Sequence, residues 1–378
     1  MTRARVPLGK FVKEYSVRNK GNEDIPVYSV TNSQGFCTEY FGKEVASQDK
    51  TTYKIVPKGY FAYNPSRINV GSVDWQRVEE RVIVSPLYNV FSVSDQIDRQ
   101  YLYYFLRSDI GRQMIKAKAS GSVRDNLKLD MLKEMTIPDM PVGEQKFCAS
   151  VLDELQRLIQ LRQKELQKLD ELVKARFIEL FGEETEFDKW HCCTIGDVAD
   201  VCVGVVIKPT QYYTDKGIPA FRSLNIGEMR VKDADWVYFT EEGHHKNQKS
   251  VIRKNDVLVV RSGAPGTACV ATEKYDGYNA VDIIIAHPDN RKVDSVFLAA
   301  FTNMPHGMNQ IRSKTGGAAQ QHFNVGGYKA MRLIMPPMEL QKQFAAFVEQ
   351  TDKSKVVVQK ALDEAQILFD SLMQQYFG

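Results

Sequence analysis

The chain has 378 residues, of which 43% are hydrophobic and 26% are charged, and its formal net charge is +3. This length exceeds one ordinary hydrophobic core and predicts two or more domains of globular composition. The apolar runs are too short to cross a membrane and no signal-peptide pattern is present, so we expect a cytoplasmic protein, and the weak positive charge permits a nucleic-acid partner without requiring one.

The six cysteines do not follow the spacing of a metal site or a redox motif. Their only cluster is His191-Cys192-Cys193, and no second pair of ligands lies at zinc-finger distance from it. Free thiols in a reducing compartment are therefore expected, with no bound metal.

Residues 1–140 have the pattern of a mixed α/β lobe. Short apolar, β-branched runs predict strands at residues 25–30, 60–63, 82–84 and 90–91, and turn residues separate them. Residues 98–117 predict one helix, because their apolar side chains recur at helical spacing.

Residues 141–182 predict a long helix, since they contain no Pro or Gly between Gly143 and Gly182. Apolar residues recur along it at heptad spacing, which is typical of a coiled-coil seam. Arg162 and Arg176 occupy the remaining seam positions, where a long side chain either reaches solvent or meets a carboxylate of a partner subunit. The predicted seam residues of this helix are Leu152, Leu155, Ile159, Leu166, Leu169, Val173 and Leu180.

The same helix pattern recurs 196 residues later, at residues 337–378. Pro141 and Gln145 match Pro337 and Gln341, and the match needs no gap. Each helix needs a partner for its apolar stripe, and the simplest partner is the other copy. The second predicted seam contains Val348, Val358, Leu362, Ala365, Phe369, Leu372 and Tyr376, with Thr351 and Lys355 also in the stripe.

Residues 183–336 repeat the plan of the first lobe. From Asp98 onward the two halves align without a gap, as Asp294 with Phe297 matches Asp98 with Tyr101, whereas the stretches before Asp98 differ. The sequence therefore predicts an α+β fold with an internal pseudo-twofold duplication, in which two mixed α/β lobes are separated by two long helices that form an antiparallel coiled coil. Each helix would span about 55–60 Å, and the differing loops would form two recognition surfaces on one frame.

Three features together resemble the specificity subunit of type I restriction-modification enzymes. They are the run NPSRIN at residues 64–69 after the strand at 60–63, the run VSPLY at 84–88, and the paired Pro-x-x-x-Gln-Lys helix starts. The second lobe has RSGAPGT at 261–267 in place of the first run.

The resemblance implies two target-recognition domains, at residues 1–140 and 183–336, separated by conserved helices at 141–182 and 337–378. Each domain would read one half of a bipartite double-stranded DNA target in the major groove, and the helices would set the unread spacer and dock two modification (methyltransferase) subunits. Motor-nuclease restriction subunits would join this core. The chain itself would catalyse nothing and hold no cofactor, because S-adenosylmethionine, ATP and Mg would belong to the partners.

Polar residues beside the turns are the candidates for DNA contact. Arg, Asn and Gln carry the donors and acceptors that match base edges, and Lys mainly contacts phosphates. Each of them could instead build a turn or remain solvated, as Asn64 before Pro65 illustrates. The candidates are Asn32, Gln34, Asn64, Arg67, Asn69, Lys118, Arg124 and Asn126 in the first lobe and Arg222, Asn225, Arg261, Ser262, Thr267, Lys314, Gln320, Gln321 and His322 in the second.

Catalytic motifs do not fit the chain. Pro138-Asp139 with Glu144-Gln145-Lys146 is spaced too tightly for a nuclease metal site, and residues 263–266 lack the Gly-Lys-Ser/Thr of a phosphate loop. Two alternatives stay open: a coiled-coil scaffold whose lobes bind protein, and the recognition subunit of a single-complex restriction-modification enzyme that cuts beside its site. Salt-dependent binding to duplex DNA distinguishes the first alternative, and the neighbouring genes distinguish the second.

Overall fold

A computed structural model describes residues 3–38, 49–119, 126–315 and 322–378. The fold is α+β, and the chain forms two compact units. Unit 1 comprises Met1–Gln163 with Gln359–Gly378, and unit 2 comprises Lys164–Val358. Each unit therefore contains one lobe, the start of one long helix and the end of the other.

The α-helices include two of 40 residues each, which lie where the sequence pattern predicts them. Within the described ranges, no helix is both long and apolar enough to span a membrane. The α-helices are α1 (Arg99–Arg107), α2 (Asp109–Ala119), α3 (Leu129–Lys133), α4 (Val142–Phe181), α5 (Ile195–Val198), α6 (Glu241–Lys246), α7 (Ser295–Asn303), α8 (Pro305–Thr315), α9 (Val325–Lys329) and α10 (Met338–Phe377). Short 3-10 helices lie at Leu8–Lys10, Ile68–Val70, Glu184–Lys189, Pro209–Tyr212, Ser223–Asn225, Gln248–Ser250 and Glu273–Tyr275.

Unit 1 is built on an antiparallel sheet with the strand order β2-β9-β6-β7. The unit also contains the two-stranded pairs β1-β10, β3-β4 and β5-β8. Its strands are β1 (Arg5–Pro7), β2 (Val12–Glu14), β3 (Ser29–Thr31), β4 (Gly35–Cys37), β5 (Lys54–Pro57), β6 (Phe61–Tyr63), β7 (Val73–Trp75), β8 (Arg81–Val84), β9 (Asn89–Val93) and β10 (Thr136–Pro138).

Unit 2 has a corresponding antiparallel sheet with the order β12-β21-β18-β19, and a second sheet, β13-β17-β14-β20, in which β14 and β20 are parallel. The pairs β11-β22 and β15-β16 complete it. Its strands are β11 (Cys192–Thr194), β12 (Ala199–Val203), β13 (Tyr213–Thr214), β14 (Ile218–Phe221), β15 (Ile226–Gly227), β16 (Arg230–Val231), β17 (Val237–Phe239), β18 (Val257–Val260), β19 (Ala268–Val270), β20 (Asn279–Ala280), β21 (Ile283–Pro288) and β22 (Arg332–Ile334).

A buried glutamine joins the start of each long helix to its own lobe. In unit 1 the side chain of Gln145 accepts a hydrogen bond from the backbone N–H of Asp98 at 2.8 Å and donates one to the Met140 carbonyl at 2.7 Å. Gln341 makes the same two bonds in unit 2, to Asp294 at 2.9 Å and to the Pro336 carbonyl at 2.8 Å. Since Asp98 and Asp294 cap α1 and α7, the glutamine fixes the long helix against a helix N-terminus.

The core of unit 1 is completed by the C-terminal end of α10. Phe377 is fully buried, and its ring lies 4.9 Å from that of Tyr101 and 5.9 Å from that of Phe105. The carbonyl of Phe377 accepts a hydrogen bond from the Arg5 guanidinium at 3.0 Å. The final turn of α10 is therefore part of the lobe core.

The core of unit 2 is completed in the same way by the end of α4. The buried ring of Phe181 lies 4.9 Å from that of Phe297, and the Phe181 carbonyl accepts a hydrogen bond from the Trp190 indole at 2.7 Å. Phe181 and Phe377 are 196 residues apart, and so are Tyr101 and Phe297. The two cores therefore use corresponding positions.

Within unit 2 the end of α4 runs antiparallel to the start of α10. Asp170 forms an ion pair with Lys355 at 2.8 Å, the Arg176 guanidinium lies 5.6 Å above the Phe347 ring, and the rings of Phe177 and Phe344 are 5.5 Å apart. The residue numbers on α10 fall as those of their contact partners on α4 rise, which means that the two helices run in opposite directions. Arg176 thus packs on an aromatic ring inside the unit.

The predicted seam residues of both helices are all buried or half-buried. The sequence pattern did not identify four buried phenylalanines of the long helices, at positions 177, 181, 344 and 377, as core residues. They lie near the helix ends, where the helices pack on lobe residues as well as on each other.

Two predicted elements of the first lobe are wrong in detail. The helix predicted at residues 98–117 is broken at Ser108, whose backbone is extended (φ −66°, ψ 160°) and whose hydroxyl accepts a hydrogen bond from Gly111 N–H at 3.0 Å. Ser108 thus caps a new helix. The strand predicted at residues 25–30 is reduced to β3, Ser29–Thr31, because Pro26 supplies no N–H to a sheet.

We predict that Phe377→Ala destabilises unit 1 and that Phe181→Ala destabilises unit 2, each by about 3–5 kcal/mol, because each change leaves a cavity in a fully buried aromatic cluster. Hydrogen exchange read separately for α1 and α7 measures this. Each variant is the control for the other, and equal acceleration in both helices by either variant would contradict the assignment.

His287 in unit 2 carries an internal ion pair. Its Nδ1 lies 2.6 Å from a carboxylate oxygen of the buried Asp256, and its Nε2 lies 3.7 Å from the Cys202 sulfur. The hydrogen bond to Asp256 raises the pKa of His287 from 6.5 to about 9. A raised pKa in the folded state means that the protonated form stabilises the fold below pH 6.5 and that this contribution is lost as the pH rises through about 9.

We therefore predict that His287→Gln lowers the free energy of unfolding more at acidic than at alkaline pH. The difference in free energy of unfolding between the native chain and His287→Gln should shrink by about 1–3 kcal/mol between about pH 6 and pH 10. Urea unfolding at several pH values measures it, and a difference independent of pH would show that His287 does not titrate as stated.

Candidate nucleic-acid interface

The first lobe gathers three predicted residues around one polar recess. The hairpin β3-β4 and the loop between β6 and β7 border a cavity of about 350 Å³. Asn32, Asn64 and Arg67 line it, with Tyr88 from the β8-β9 turn. Sequence reasoning did not select Tyr88, although it ends the run VSPLY that supported the family resemblance.

Asn64 has a local structural role as well as a place in the recess. Its side-chain oxygen accepts hydrogen bonds from the backbone N–H and the hydroxyl of Ser66, at 3.1 and 2.9 Å. This is the turn-forming role considered from the sequence. The turn occupies the amide oxygen, so a DNA contact by Asn64 would use its NH₂ group.

A close approach at Gly35 shapes the hairpin beside the recess. Gly35 has φ +66°, and a Cβ there would lie 2.0 Å from a carboxylate oxygen of Asp74, so only glycine fits. Asp74 accepts a hydrogen bond from Phe36 N–H at 3.2 Å and pairs with Arg77 at 2.9 Å. Burial raises the pKa of Asp74 above its ordinary value, and Arg77 opposes this shift.

The remaining described candidates of the first lobe have different settings. Gln34 and Asn69 are exposed and Asn126 is half-buried. The Lys118 ammonium forms an ion pair with Glu134 at 2.6 Å. A phosphate contact by Lys118 would therefore compete with an existing partner.

The second lobe gathers its candidates at the corresponding loop, which joins β18 to β19. The Arg261 guanidinium pairs with Asp282 at 2.6 Å, and the Ser262 hydroxyl lies 2.8 Å from Nδ1 of His322. Phe323 N–H donates to the Arg261 carbonyl at 3.0 Å, so residues distant in sequence are joined here. Thr267 closes the loop through its hydroxyl, which donates to the Ala264 carbonyl at 3.1 Å.

Asp282 belongs to this cluster but was not predicted. The sequence signal was present, because Asp282 interrupts an otherwise apolar run, directly before β21. A charge inside an apolar run usually indicates a specific polar partner, and here the partner is Arg261. A contact of Arg261 with a base edge or a phosphate would therefore compete with this carboxylate.

Asn225 is a correction to the sequence-based set. Its side chain is fully buried. Its oxygen accepts from Arg222 N–H at 2.9 Å and its NH₂ donates to the Ala234 carbonyl at 2.7 Å. Asn225 is therefore a structural residue rather than a DNA-contact residue, and Arg222, which donates to the Asp235 carbonyl, is also tied to this loop.

Lys314 lies at the position equivalent to Lys118, 196 residues later. Its ammonium donates to the Gly327 carbonyl at 3.0 Å, and partial burial lowers its pKa below the ordinary value. The candidates Arg124, Gln320 and Gln321 lie outside the described residues.

Two lobes that carry different polar loop clusters at corresponding sheet positions define a two-lobed recognition protein. The sequence model of the type I restriction modification DNA specificity domain matches residues 9–171 and 188–365. These two stretches cover most of the chain. The chain belongs to this family.

Curated relatives are similar at low identity. The specificity subunit of the StySPI type I restriction enzyme from Salmonella potsdam is 22% identical over 307 residues, which cover 74% of this chain and 64% of that protein. The corresponding EcoBI subunit from Escherichia coli is 22% identical over 376 residues, covering 89% and 78%.

Two solved structures share the fold. The type I restriction-modification S subunit from M. genitalium superposes with a TM-score of 0.58 at 15% identity, covering 99% of this chain and 96% of that one. A chain from a study of complex assembly and conformational transition of the type I R-M system gives 0.58 at 16% identity, covering 100% and 97%.

We predict that Asn225→Ala lowers the free energy of unfolding by about 1–3 kcal/mol, because it removes the hydrogen bonds that the buried Asn225 side chain makes with the backbone at Arg222 and Ala234. Asn69→Ala, at an exposed asparagine, is the control and should change it by no more than about 0.5 kcal/mol. Denaturant unfolding measures both. An Asn225→Ala chain as stable as the native one would contradict the structural role.

Proposed function

We propose that this chain is the sequence-specific DNA-recognition subunit of a type I restriction-modification complex, and that each lobe reads one half of a bipartite target in the major groove. The observation that carries the proposal is that the specificity-domain model matches the chain twice, once over each lobe. The polar loops at corresponding sheet positions supply the recognition surfaces. The lobes differ in these loops, so their half-sites differ.

The candidate residues have the chemistry for this task. In the first lobe Arg67 and Asn64 share one recess, and an arginine fork suits guanine whereas an amide suits adenine. In the second lobe Arg261, Ser262 and His322 form one connected cluster. Base readout requires several such side chains fixed relative to one another, because phosphate contacts alone carry no sequence information.

The lobes and helices arose, on this proposal, by internal duplication, and the helices form an antiparallel coiled coil. The equivalent bonds of Gln145 and Gln341 and the equivalent packing of Phe377 and Phe181 support the duplication. The antiparallel contacts between α4 and α10 within unit 2 support the coiled coil. Chance would not preserve such contacts at one constant offset. The coiled coil would then set the spacer between the two half-sites.

The partners would be double-stranded DNA, two modification (methyltransferase) subunits and the motor-nuclease restriction subunits, in the cytoplasm. Exposed apolar side chains on the long helices support docking of a partner subunit: Leu161 and Leu172 are each 48% exposed, and Val356 and Ile367 about 70%. The chain would be non-catalytic, and its partners would use S-adenosylmethionine, ATP and Mg.

The test is to express the chain with a modification subunit and to map methylated adenines across a genome by long-read sequencing. We expect a two-part motif with a fixed gap of unspecified bases. Replacing residues 183–336 with those of a relative should change one half of the motif only, because the other lobe keeps its loops.

Replacing residues 1–140 is the reciprocal control and should change the other half. A continuous motif would contradict reading by two separate lobes. Methylation that does not depend on this chain, in a complex shown to assemble, would favour a protein-binding scaffold.

A further inference from the structure

The helices α1 and α7 end in different residues that make the same kind of contact. Arg107 is the last residue of α1 and Asn303 is the last of α7, 196 positions later. Both are half-buried. Each side chain reaches from the helix end to the backbone of a recognition loop, and neither belongs to the candidate DNA-contact set.

Arg107 joins the two segments that border the recess of the first lobe. Its Nη1 donates to the Gly71 carbonyl at 2.9 Å, in the β6-β7 loop, and its Nη2 donates to the Asn32 carbonyl at 2.6 Å, in the β3-β4 hairpin. The guanidinium also lies 5.2 Å from the centre of the Tyr103 ring, which restricts its orientation. One planar group therefore sets the distance between two recognition segments.

Gly71 lies beside the guanidinium, at the end of a short helix in this loop. The residue has φ +95° and ends the short helix Ile68–Val70, and a Cβ there would stand 3.7 Å from Cζ of Arg107. The same turn is closed by Ser72 N–H, which donates to the Arg67 carbonyl at 3.1 Å. Movement of the Gly71 carbonyl would thus move Arg67.

Asn303 performs the corresponding task in the second lobe through one residue. Its side-chain oxygen accepts from Ala268 N–H at 3.0 Å, and its NH₂ donates to the Ala268 carbonyl at 2.8 Å. Ala268 directly follows Thr267, and its carbonyl also accepts from Met229 N–H at 2.9 Å. The paired bonds fix the end of the loop that carries Arg261 and Ser262.

We infer that Arg107 and Asn303 are positioning residues that determine the sequence fidelity of the first and the second lobe, respectively, without touching DNA. This inference rests on the proposed function. Discrimination between bases depends on bidentate contacts with narrow geometry, and such geometry needs loops whose supports are themselves fixed.

Arg107 and Asn303 differ chemically because Arg107 binds two carbonyls on separate segments, whereas Asn303 binds the backbone of one residue. Arginine presents several N–H donors in a rigid fork and can bind two carbonyls at once, whereas lysine is a point donor on a flexible stem. Asparagine is short and offers one donor face and one acceptor, which suits a single backbone residue. Arg107→Lys should therefore retain the charge and lose the link between the two segments.

The experiment uses the full-length chain assembled with a modification subunit and compares Arg107→Ala, Arg107→Lys and Asn303→Ala. Lys58→Ala is the charge control in unit 1, because in the described contacts the Lys58 side chain makes only an exposed ion pair with Glu80. The readout is the ratio of methylation at the cognate site to methylation at sites with one mismatch, scored separately for each half of the motif.

We expect Arg107→Ala to lower this ratio about tenfold or more in one half only, and Asn303→Ala to lower it in the other half only. Arg107→Lys should relax the same half as Arg107→Ala to a smaller extent, and Lys58→Ala should relax neither. A purely structural role would reduce total methylation and assembled complex without changing the ratio in one half.

Unchanged ratios in both Arg107 variants, or equal relaxation of both halves, would overturn the inference. If Arg107→Ala fails to assemble, Arg107→Lys decides the question, since it preserves charge and most of the packing. Failure of the proposed function has a different signature, because the native chain itself would then yield no two-part motif.

Discussion

The burial of one phenylalanine at the end of each long helix is the constraint on which both units depend. Phe377 fills a space between residues of α1 in unit 1, and Phe181 fills the corresponding space beside α7 in unit 2. Removing an aromatic ring from such a site costs several kcal/mol, on the order of half the stability of a typical domain. The first lobe therefore lacks a complete core until the end of α10, which is distant from it in sequence, joins it, whereas Phe181 directly precedes the second lobe.

This constraint explains why the recognition loops can differ while the frame is retained. The residues that complete each core lie on α1, α7 and the long helices, and the buried Gln145 and Gln341 fix the helix starts. The polar clusters, in contrast, lie on loops between sheet strands. Substitution in these loops changes the polar groups that are presented, and the core contacts do not depend on those groups.

The sequence was sufficient to predict the α+β class, both 40-residue helices and the loops that carry most of the candidate residues, because periodicity and a constant offset are local signals. It was insufficient where tertiary contacts decide. Asn225 carries the amide donor and acceptor of a base-reading residue, but its side chain forms its hydrogen bonds inside the lobe. Arg107, which reads as an ordinary helix-end cation, meets carbonyls from two segments far away in the sequence. Ser108 breaks a helix whose apolar periodicity continues through it.

Unit 1 is built from two distant segments of the chain, Met1–Gln163 and Gln359–Gly378, and this affects the order of folding during synthesis on the ribosome. All of unit 2 is translated before residues 359–378, so the second lobe can acquire its full core while the first still lacks Phe377. Chains fold progressively from the N-terminus as they emerge, yet here the first lobe to emerge is the later one to be completed. A nascent chain interrupted in α10 would consequently expose an apolar surface on the first lobe, which marks it for chaperones and proteases before a half-finished recognition subunit can assemble.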